Sequence, residues 1–391
     1  MIADIPGRCR AEGPHIVELR RAFHRRPEVG LELPETAALV RAELDRLGIA
    51  WRAARSGTMA DIGTRGPLVG MRADMDALPV TEKTGLAWAS EIPGRMHACG
   101  HDAHMASLLG AAAILKAEAD AGRLAFRARL IFQPGEEGYF GAKTMIEAGC
   151  LEGLDAIEGG HAGELSDELG PGELGFMPGA MMASSDTFRG SFVGSGGHGS
   201  APHHSPDPIA AFSAWLQALN NLRSRELDQR KPAVISVCSV HSGNTHNVIP
   251  ERLDFEGTAR SLEPELRERL KARIGEIGTA VAAMWNLRFE YDYEDGYPPL
   301  VNEASASNAM EEGCRAILGS RVRRMTMPSM GGEDFAYYLG KVPGAFWFFS
   351  TQAPDRGISF PNHNPRFDLD EGLLADAAAI HLACAQALAR A

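Results

Sequence analysis

The sequence has 391 residues, of which 45% are hydrophobic, and 51 acidic residues against 39 basic ones give a formal net charge of −12. A chain of this length exceeds one ordinary core, so we expect about two domains in a soluble globular protein. The negative charge argues against a nucleic-acid partner. No window approaches the roughly twenty unbroken apolar residues of a membrane span, and the charged start is unlike a signal peptide, which predicts a cytoplasmic protein.

The first half of the chain predicts alternating helices and strands. In chain order we expect a helix over about 14–25, a helix over 35–47, strands near 59–62 and 68–72, a helix over 103–118, and strands over 128–132 and 155–157. Asp102 is placed to cap the third helix. Candidate ligand residues recur just past the strand ends, where open α/β sheets place their binding crevices. The pattern therefore predicts one site assembled from several loops.

The middle of the chain follows a different order of elements. It predicts a strand over 187–193, a helix over 208–223, strands over 233–240 and 252–258, a helix over 264–285 and a strand over 287–293. The order β-α-β-β-α-β is the split βαβ arrangement of ferredoxin-like domains. We therefore expect an inserted α+β domain at 186–296 within an α/β domain formed by 1–185 and 297–391, where an apolar strand over 345–349 precedes His363.

A dense group of potential metal ligands lies between Met96 and His104, where three histidines, a cysteine and an aspartate occupy nine residues. The pair Glu136 and Glu137 follows about thirty residues later, in a loop after an apolar strand. Thiolate, imidazole and carboxylate together suit a divalent metal, and a carboxylate can also act as a general base. The sequence predicts a metal-dependent hydrolase, although a packed loop and a solvated glutamate pair are the plainer alternatives.

The other cysteines and histidines are expected to be structural. Six scattered cysteines without a framework spacing predict free thiols rather than disulfides. Lone histidines are more often surface or capping residues, which we expect of His15, His24, His241, His246 and His381. Two others, His97 and His104, are expected beside the ligands but not among them.

A glycine-rich segment, Gly194-Ser195-Gly196-Gly197-His198-Gly199, matches the dinucleotide-binding pattern G-x-G-x-x-G. The expected context is missing, because prolines at 202, 206 and 208 interrupt the start of a helix and no acidic residue follows at the distance needed to hold a ribose. A nucleotide cofactor is therefore not expected.

Several segments taken together resemble the M20 metallopeptidase family, with its aminoacylase, hippurate hydrolase and auxin-conjugate hydrolase branch. They are Met71-Arg72-Ala73-Asp74-Met75-Asp76-Ala77-Leu78-Pro79, the group from Met96 to His104, Gln133-Pro134-Gly135-Glu136-Glu137-Gly138, Gly196-Gly197-His198-Gly199, Asn247-Val248-Ile249-Pro250, Gly257-Thr258-Ala259-Arg260 and His363-Asn364-Pro365. The resemblance implies a zinc-peptidase-like catalytic domain, with a mixed sheet flanked by helices, and an inserted ferredoxin-like dimerisation or lid domain. It also implies hydrolysis of the amide of N-acyl or N-aroyl amino acids.

Carried onto this chain, the resemblance implies two divalent metal ions per subunit. Their ligands would be Cys99, His101, Glu137, His161 and His363. Sulfur and nitrogen donors favour zinc, while manganese, cobalt and nickel stay open. Glu136 would be the general base that activates water. Asp74 and Asp76 would orient a ligand imidazole by accepting its remaining N–H.

The inserted domain would supply the residues that contact the substrate. His198 resembles a histidine that reaches into the site of a partner subunit and stabilises the oxyanion, which implies a homodimer or higher homo-oligomer. Asn247 and Arg260 resemble residues that bind the amino-acid part, and a guanidinium suits its carboxylate. The segment Ala162-Gly163-Glu164-Leu165 lacks the apolar residue and the proline of this group.

Two alternatives to an N-acyl amino acid hydrolase stay open. One is a dipeptidase or carboxypeptidase on the same scaffold, and the other is a non-catalytic metal-binding or ligand-binding module. Glu136 argues against the second alternative, because binding alone needs no general base.

Overall fold

The structure, a computed structural model, describes residues 2–391, and the chain divides into two compact units. Unit 1 contains the residues up to Met181 together with Val301–Pro328 and Asp334–Ala391. Unit 2 contains Met182–Leu300 and Ser329–Glu333. Among the described residues, no helix has both the length and the apolar content required to span a bilayer.

The helices and strands follow one another along the described chain. The α-helices are α1 (Ile5–Arg25), α2 (Pro34–Arg46), α3 (His101–Asp120), α4 (Gly141–Glu147), α5 (Pro208–Asn221), α6 (Pro264–Met284), α7 (Ala304–Leu318), α8 (Ala336–Leu339) and α9 (Leu374–Leu388). The strands are β1 (Trp51–Ala54), β2 (Gly57–Ile62), β3 (Leu68–Asp74), β4 (Arg127–Gln133), β5 (Ala156–Gly163), β6 (Leu174–Phe176), β7 (Gly179–Met182), β8 (Ser185–Val193), β9 (Gly197–His198), β10 (Ala233–Ser242), β11 (Val248–Ile249), β12 (Arg252–Ser261), β13 (Arg288–Tyr297), β14 (Leu300–Asn302), β15 (Val322–Arg324) and β16 (Gly344–Ser350).

Unit 1 is built on an eight-stranded mixed sheet with the strand order β1-β2-β4-β3-β5-β16-β6-β15. The four central strands β4, β3, β5 and β16 run parallel, whereas β2 and β6 join them antiparallel. Every residue of β3, β5 and β16 is buried, as expected for strands covered on both faces. Helices α1, α3 and α9 pack against one another and share a large apolar cluster with the sheet.

Unit 2 contains a four-stranded antiparallel sheet with the order β10-β12-β8-β13. Buried and exposed residues alternate along β12, so one face of the sheet packs against α5 and α6 while the other is open. The core combines aliphatic side chains with an aromatic cluster in which Trp215 contacts Phe188, Phe192 and Phe255. The element order and strand order are those of a ferredoxin-like fold.

The expected fold class, an α/β domain with a helix-flanked mixed sheet and an α+β ferredoxin-like part, is confirmed. Most elements lie within a few residues of their predicted ends. Helix α1 differs, because it begins at Ile5 rather than near residue 14 and holds Pro14 in its interior. The side chain of Asp4 accepts a hydrogen bond from the Gly7 N–H at 3.1 Å and caps this earlier start.

The prediction that Asp102 caps α3 is wrong. Gly100 is the capping residue of this helix, and its backbone φ of 90° lies in the left-handed region that suits glycine. The Asp102 carboxylate instead accepts hydrogen bonds from Arg20 Nε at 2.9 Å and from His24 Nδ1 at 2.7 Å. Asp102 therefore ties α3 to α1 in the interior of unit 1.

Candidate functional site

The parallel strands of unit 1 bring their carboxyl ends to one edge of the sheet. Strand β3 ends at Asp74, and β4 ends at Gln133, just before the loop that carries Glu136 and Glu137. His161 lies within β5, which continues to Gly163, rather than past the strand end as predicted. The site is therefore assembled at this edge from several separate segments.

The five residues expected as metal ligands lie together in unit 1. The Sγ atom of Cys99 is 3.2 Å from His161 Nε2 and 3.3 Å from His363 Nε2. His363 Nε2 is in turn 3.2 Å from Glu137 Oε1. Ligand atoms of His101 lie within 4.8 Å of those of Cys99 and His161, and also of those of the two glutamates.

The donor atoms of this group fit divalent cations. A thiol, three imidazoles and a carboxylate form a mixed set of the kind that holds zinc and related metals. His101 Nε2 is buried and has no hydrogen-bond partner among the described residues. Buried polar atoms are normally satisfied, so this ring nitrogen indicates a place for a positively charged ligand.

Burial controls the protonation of these side chains in the metal-free protein. It raises the pKa of the Cys99 thiol well above its ordinary value, and the charges of Glu137 and Glu136 raise that pKa further. It lowers the pKa of His161 well below its ordinary value. Burial also disfavours the charged form of His101, but nearby carboxylates, first that of Asp74, raise the His101 pKa overall. A bound cation would favour the thiolate and the neutral imidazoles that act as ligands.

Backbone carbonyls orient two of the imidazoles. His101 Nδ1 donates to the Asp76 carbonyl oxygen at 2.7 Å, and His161 Nδ1 donates to the Ala162 carbonyl oxygen at 2.9 Å. Each bond places the ring proton on Nδ1 and leaves the Nε2 lone pair available to a metal. The tautomer required for ligation is therefore set by the fold.

Asp76 makes a contact different from the one expected for its side chain. Its carboxylate oxygens accept hydrogen bonds from the backbone N–H groups of Glu136 at 2.8 Å and Glu137 at 3.0 Å. The backbone carbonyl of Asp76 accepts the ring N–H of His101, while Asp76 Oδ1 lies 3.8 Å from His101 Nδ1. The hydrogen bonds of the Asp76 carboxylate thus fix the loop of the glutamate pair.

His104 joins two strand ends beside this group. Its Nδ1 donates to Asp74 Oδ1 at 2.6 Å, and its Nε2 accepts the backbone N–H of Ala162 at 2.8 Å. Because both ring nitrogens are engaged, His104 supports the neighbouring rings of His101 and His161, which it contacts. The sequence predicts that His104 lies beside the ligands, but no sequence pattern indicates its contact with Ala162.

A buried polar network behind the site was not predicted. Arg72 donates to Asp74 Oδ2 at 2.7 Å and to Asp334 Oδ1 at 3.0 Å, while Gln133 Nε2 donates to both Asp334 oxygens. Asp334 also accepts the backbone N–H of Ala142 at 2.8 Å. The one sequence feature that could have indicated this network is the presence of two polar residues, Arg72 and Gln133, within apolar strands.

His363 lies in a strained turn at the edge of the group. Its φ of 69° is in the left-handed region, which non-glycine residues rarely adopt. Its backbone N–H donates to the Ala98 carbonyl at 2.7 Å, which helps to hold this conformation. The side chain is 57% exposed, so the group opens toward solvent on the side of His363.

The other expected site residues belong to unit 2. His198 and Asn247 are exposed and adjacent, because β9 pairs with β11 and the Gly199 N–H donates to the Asn247 carbonyl at 2.8 Å. His198 Nδ1 accepts the backbone N–H of Ser200 at 3.1 Å, so the ring proton of the neutral form is on Nε2.

Arg260 lies on β12 of unit 2 and is half-buried. Its Nε donates to Thr258 Oγ1 at 3.2 Å, and no acidic side chain among the described residues forms an ion pair with it. Burial lowers the pKa of its guanidinium. A carboxylate from outside the chain would offset that cost.

Comparisons with known proteins identify the family of this chain. The model of Peptidase family M20/M25/M40 matches residues 70–387. N-acetyl-L-cysteine deacetylase from Bacillus subtilis is 38% identical over 360 residues, which cover 91% of this chain and 84% of the relative. Thermostable carboxypeptidase 1 from Saccharolobus solfataricus is 36% identical over 374 residues, which cover 94% and 93% respectively.

A solved structure is similar over nearly the whole chain. It is a dinuclear metal-binding peptidase of the M20 family from Bacillus subtilis, with a TM-score of 0.82 and 33% identity, and the match covers 97% of this chain and 98% of that one. The resemblance inferred from the sequence motifs is therefore confirmed. The chain belongs to peptidase family M20/M25/M40 and is a hydrolase of that family.

Proposed function

We propose that this hydrolase cleaves the amide bond of N-acyl or N-aroyl amino acids with the help of two divalent cations. The observation that carries the proposal is the convergence of five donor side chains beside Glu136 at one edge of the sheet in unit 1. The proposed ligands are Cys99, His101, Glu137, His161 and His363. When bound, divalent cations polarise an amide carbonyl and make water more acidic.

The proposed general base is Glu136. Its carboxylate accepts a proton from the water that attacks the amide carbon and then delivers this proton to the nitrogen of the departing amine. The Asp76 carboxylate holds the backbone of both glutamates, so Glu137 and Glu136 keep fixed positions relative to each other. This division allows one glutamate to bind metal while its neighbour moves the proton.

Unit 2 is proposed to supply the contacts to the substrate, in a homodimer. His198 would donate its Nε2 proton to the oxyanion, which agrees with the acceptor role of its Nδ1. The half-buried Arg260 would bind the carboxylate of the amino acid with two parallel hydrogen bonds, and Asn247 would add an amide contact.

The relatives support two forms of this reaction. The name of the Bacillus subtilis deacetylase describes removal of an acetyl group from an acetylated amino acid, which favours an N-acyl substrate here. The carboxypeptidase relative is nearly as similar, so release of an amino acid from the carboxyl end of a peptide is the second candidate. A panel of hippurate, N-acetyl amino acids and unblocked dipeptides separates the two. Faster turnover of the unblocked dipeptides would contradict the first form.

The test of the catalytic assignment is Glu136→Gln in the full chain. We expect kcat to fall by about 10²- to 10⁴-fold, the usual contribution of a general base, while the metal content measured on the same sample is unchanged. Glu147→Gln, at the exposed end of α4, is the matched control and should keep full activity. Normal turnover by Glu136→Gln would remove it as the base. Absence of any turnover by the metal-loaded wild type would favour a binding module.

The same metal analysis identifies the ions. Zinc is the proposed metal because sulfur and nitrogen donors predominate, and manganese, cobalt and nickel are the alternatives that reconstitution of the metal-free protein compares.

A further inference from the structure

Asn362 contacts two of the segments that carry the proposed ligands and directly precedes a third ligand. Its Nδ2 donates to the Cys99 carbonyl oxygen at 3.0 Å and lies 3.9 Å from the Cys99 Sγ atom. Its Oδ1 accepts the backbone N–H of Glu164 at 2.7 Å, three residues after His161. One amide thus connects the Cys99 loop, the end of β5 and the turn of His363.

The end of β5 is shaped to admit this amide. Gly163 has a φ of 142°, and a Cβ at this position would lie 2.4 Å from both Asn362 Oδ1 and Nδ2. A side chain at residue 163 would therefore displace Asn362. Position 164 must also keep a backbone N–H, which a proline would lack. Gly163 and Glu164 of this chain meet both requirements.

We propose that Asn362 is a positioning residue that sets the affinity of the site for divalent cations by fixing Cys99, His161 and His363 relative to one another. The proposal rests on the proposed function, which names these three residues as ligands. It adds a role for a side chain that binds neither metal nor substrate.

The physical reason is preorganisation. The three ligands come from distant parts of the chain, and His363 occupies a strained backbone conformation. Fixing them before the metal arrives removes conformational entropy that binding would otherwise have to overcome. The N–H that points toward Sγ also favours the negative charge of the thiolate ligand.

The test compares substitutions at two asparagines of one loop. Asn362→Leu removes the bridge, whereas Asn364→Leu alters a residue whose Oδ1 accepts only the nearby Arg366 N–H at 2.9 Å. We measure the dissociation constant for zinc in the full-length protein by competition with a chromophoric chelator. Asn362→Leu should weaken zinc binding about 10- to 100-fold, the usual effect of removing a residue that supports metal ligands, and Asn364→Leu should leave it unchanged.

A second readout distinguishes positioning from a general loss of stability. In the cobalt-substituted protein, loss of the N–H near Sγ should shift the thiolate-to-cobalt absorption band to lower energy in Asn362→Leu only. If Asn362→Leu does not fold, Asn362→Ser and its control Asn364→Ser replace the pair, since serine is polar and too short to bridge.

The outcomes separate this inference from the proposed function. Wild-type zinc affinity and an unshifted cobalt band in the Asn362 variants would overturn the inference and leave the proposed ligands intact. Failure of the wild type itself to bind zinc or cobalt would instead count against both.

Discussion

The two units keep their chemically active side chains in different surroundings. In unit 1 the thiol and most of the imidazoles are buried, and hydrogen bonds to backbone carbonyls or carboxylates orient them. In unit 2 the interior is apolar, and His198 and Asn247 lie exposed at the surface. The candidate metal donors of unit 1 therefore lie mostly in its interior, whereas two of the proposed substrate contacts of unit 2 lie at its surface.

The contrast follows from the chemistry assigned to each unit. Metal ligands must be desolvated and fixed, because each must present one lone pair in one direction. Residues that meet a substrate or a partner subunit must instead remain accessible until it arrives. Substitutions of the proposed ligands in unit 1 should therefore change metal content, and substitutions of the proposed substrate contacts in unit 2 should change turnover without changing metal content.

The largest effect is expected for Cys99→Ala. Loss of the thiolate removes a donor shared by two of the candidate ligand groups. We expect reduced metal content and a fall in turnover of at least about 10³-fold at micromolar metal. Metal analysis and initial rates on one preparation measure both quantities.

Unit 2 provides the matched control for this substitution. Cys238 is an exposed free cysteine on β10, so Cys238→Ala should keep full metal content and activity. Full metal occupancy in Cys99→Ala would show that the thiol is dispensable and that unit 1 holds its ions differently.

The next effect, in unit 2, is that of His198→Ala. Removing one donor to an oxyanion costs about 10²- to 10³-fold in kcat, and we expect a loss of this size with unchanged metal content. His241→Ala changes another exposed histidine of unit 2 and should be neutral. Equal kinetics for the two variants would remove His198 from the reaction.

Arg260→Lys should have a smaller effect on activity, and this effect should be on KM more than on kcat. Lysine keeps the charge but loses the paired donors that match a carboxylate, so KM should rise about 10-fold, which is near the lower end of the roughly 1.5 to 3 kcal/mol of a hydrogen bond to a charged group. A substrate whose carboxylate is replaced by a carboxamide should have the same high KM with the wild type and with Arg260→Lys. If Arg260→Lys instead raised KM for the carboxamide as much as for the carboxylate substrate, Arg260 would not contact the carboxylate.

The sequence predicted the elements and the candidate ligands where the signals were local. Cys99 and His101 stand two residues apart, and the glutamate pair follows a clear strand. His161 and His363 give weak signals alone, and only the family resemblance predicts them as ligands. The ferredoxin-like order of elements in unit 2 could be predicted from the sequence, because each element has a regular apolar pattern.

The hydrogen bonds that support the candidate ligands could not be predicted from the sequence, because they join residues far apart along the chain. The bond from Asn362 to Cys99 spans 263 positions, and that from Gln133 to Asp334 spans 201. Asp102 looked like a local cap, yet its partners lie 82 and 78 positions away, on α1. Local preference gave way to tertiary hydrogen bonding at that residue.

The smallest effect on activity is expected for substitution of His24. This substitution tests the polar interior of unit 1 through the free energy of unfolding. Its Nδ1 donates to Asp102 at 2.7 Å, and its Nε2 lies 3.3 Å from Glu82. Burial would lower the pKa of His24, but the carboxylates, first that of Asp102, raise it from 6.5 to about 9. The folded protein therefore holds this proton more tightly than the unfolded chain does.

The sign of the pH dependence follows from that difference. The contribution of His24 to stability is complete below pH 6.5 and is lost as the pH rises through about 9. Over this range the free energy of unfolding of the wild type should fall by roughly 3 kcal/mol more than that of His24→Gln. Urea unfolding of chelator-treated protein measures it, with His241→Gln in unit 2 as the control that should follow the wild type. Parallel pH curves for wild type and His24→Gln would show that the buried imidazole is not charged, and that the interior of unit 1 is less ionic than its contacts suggest.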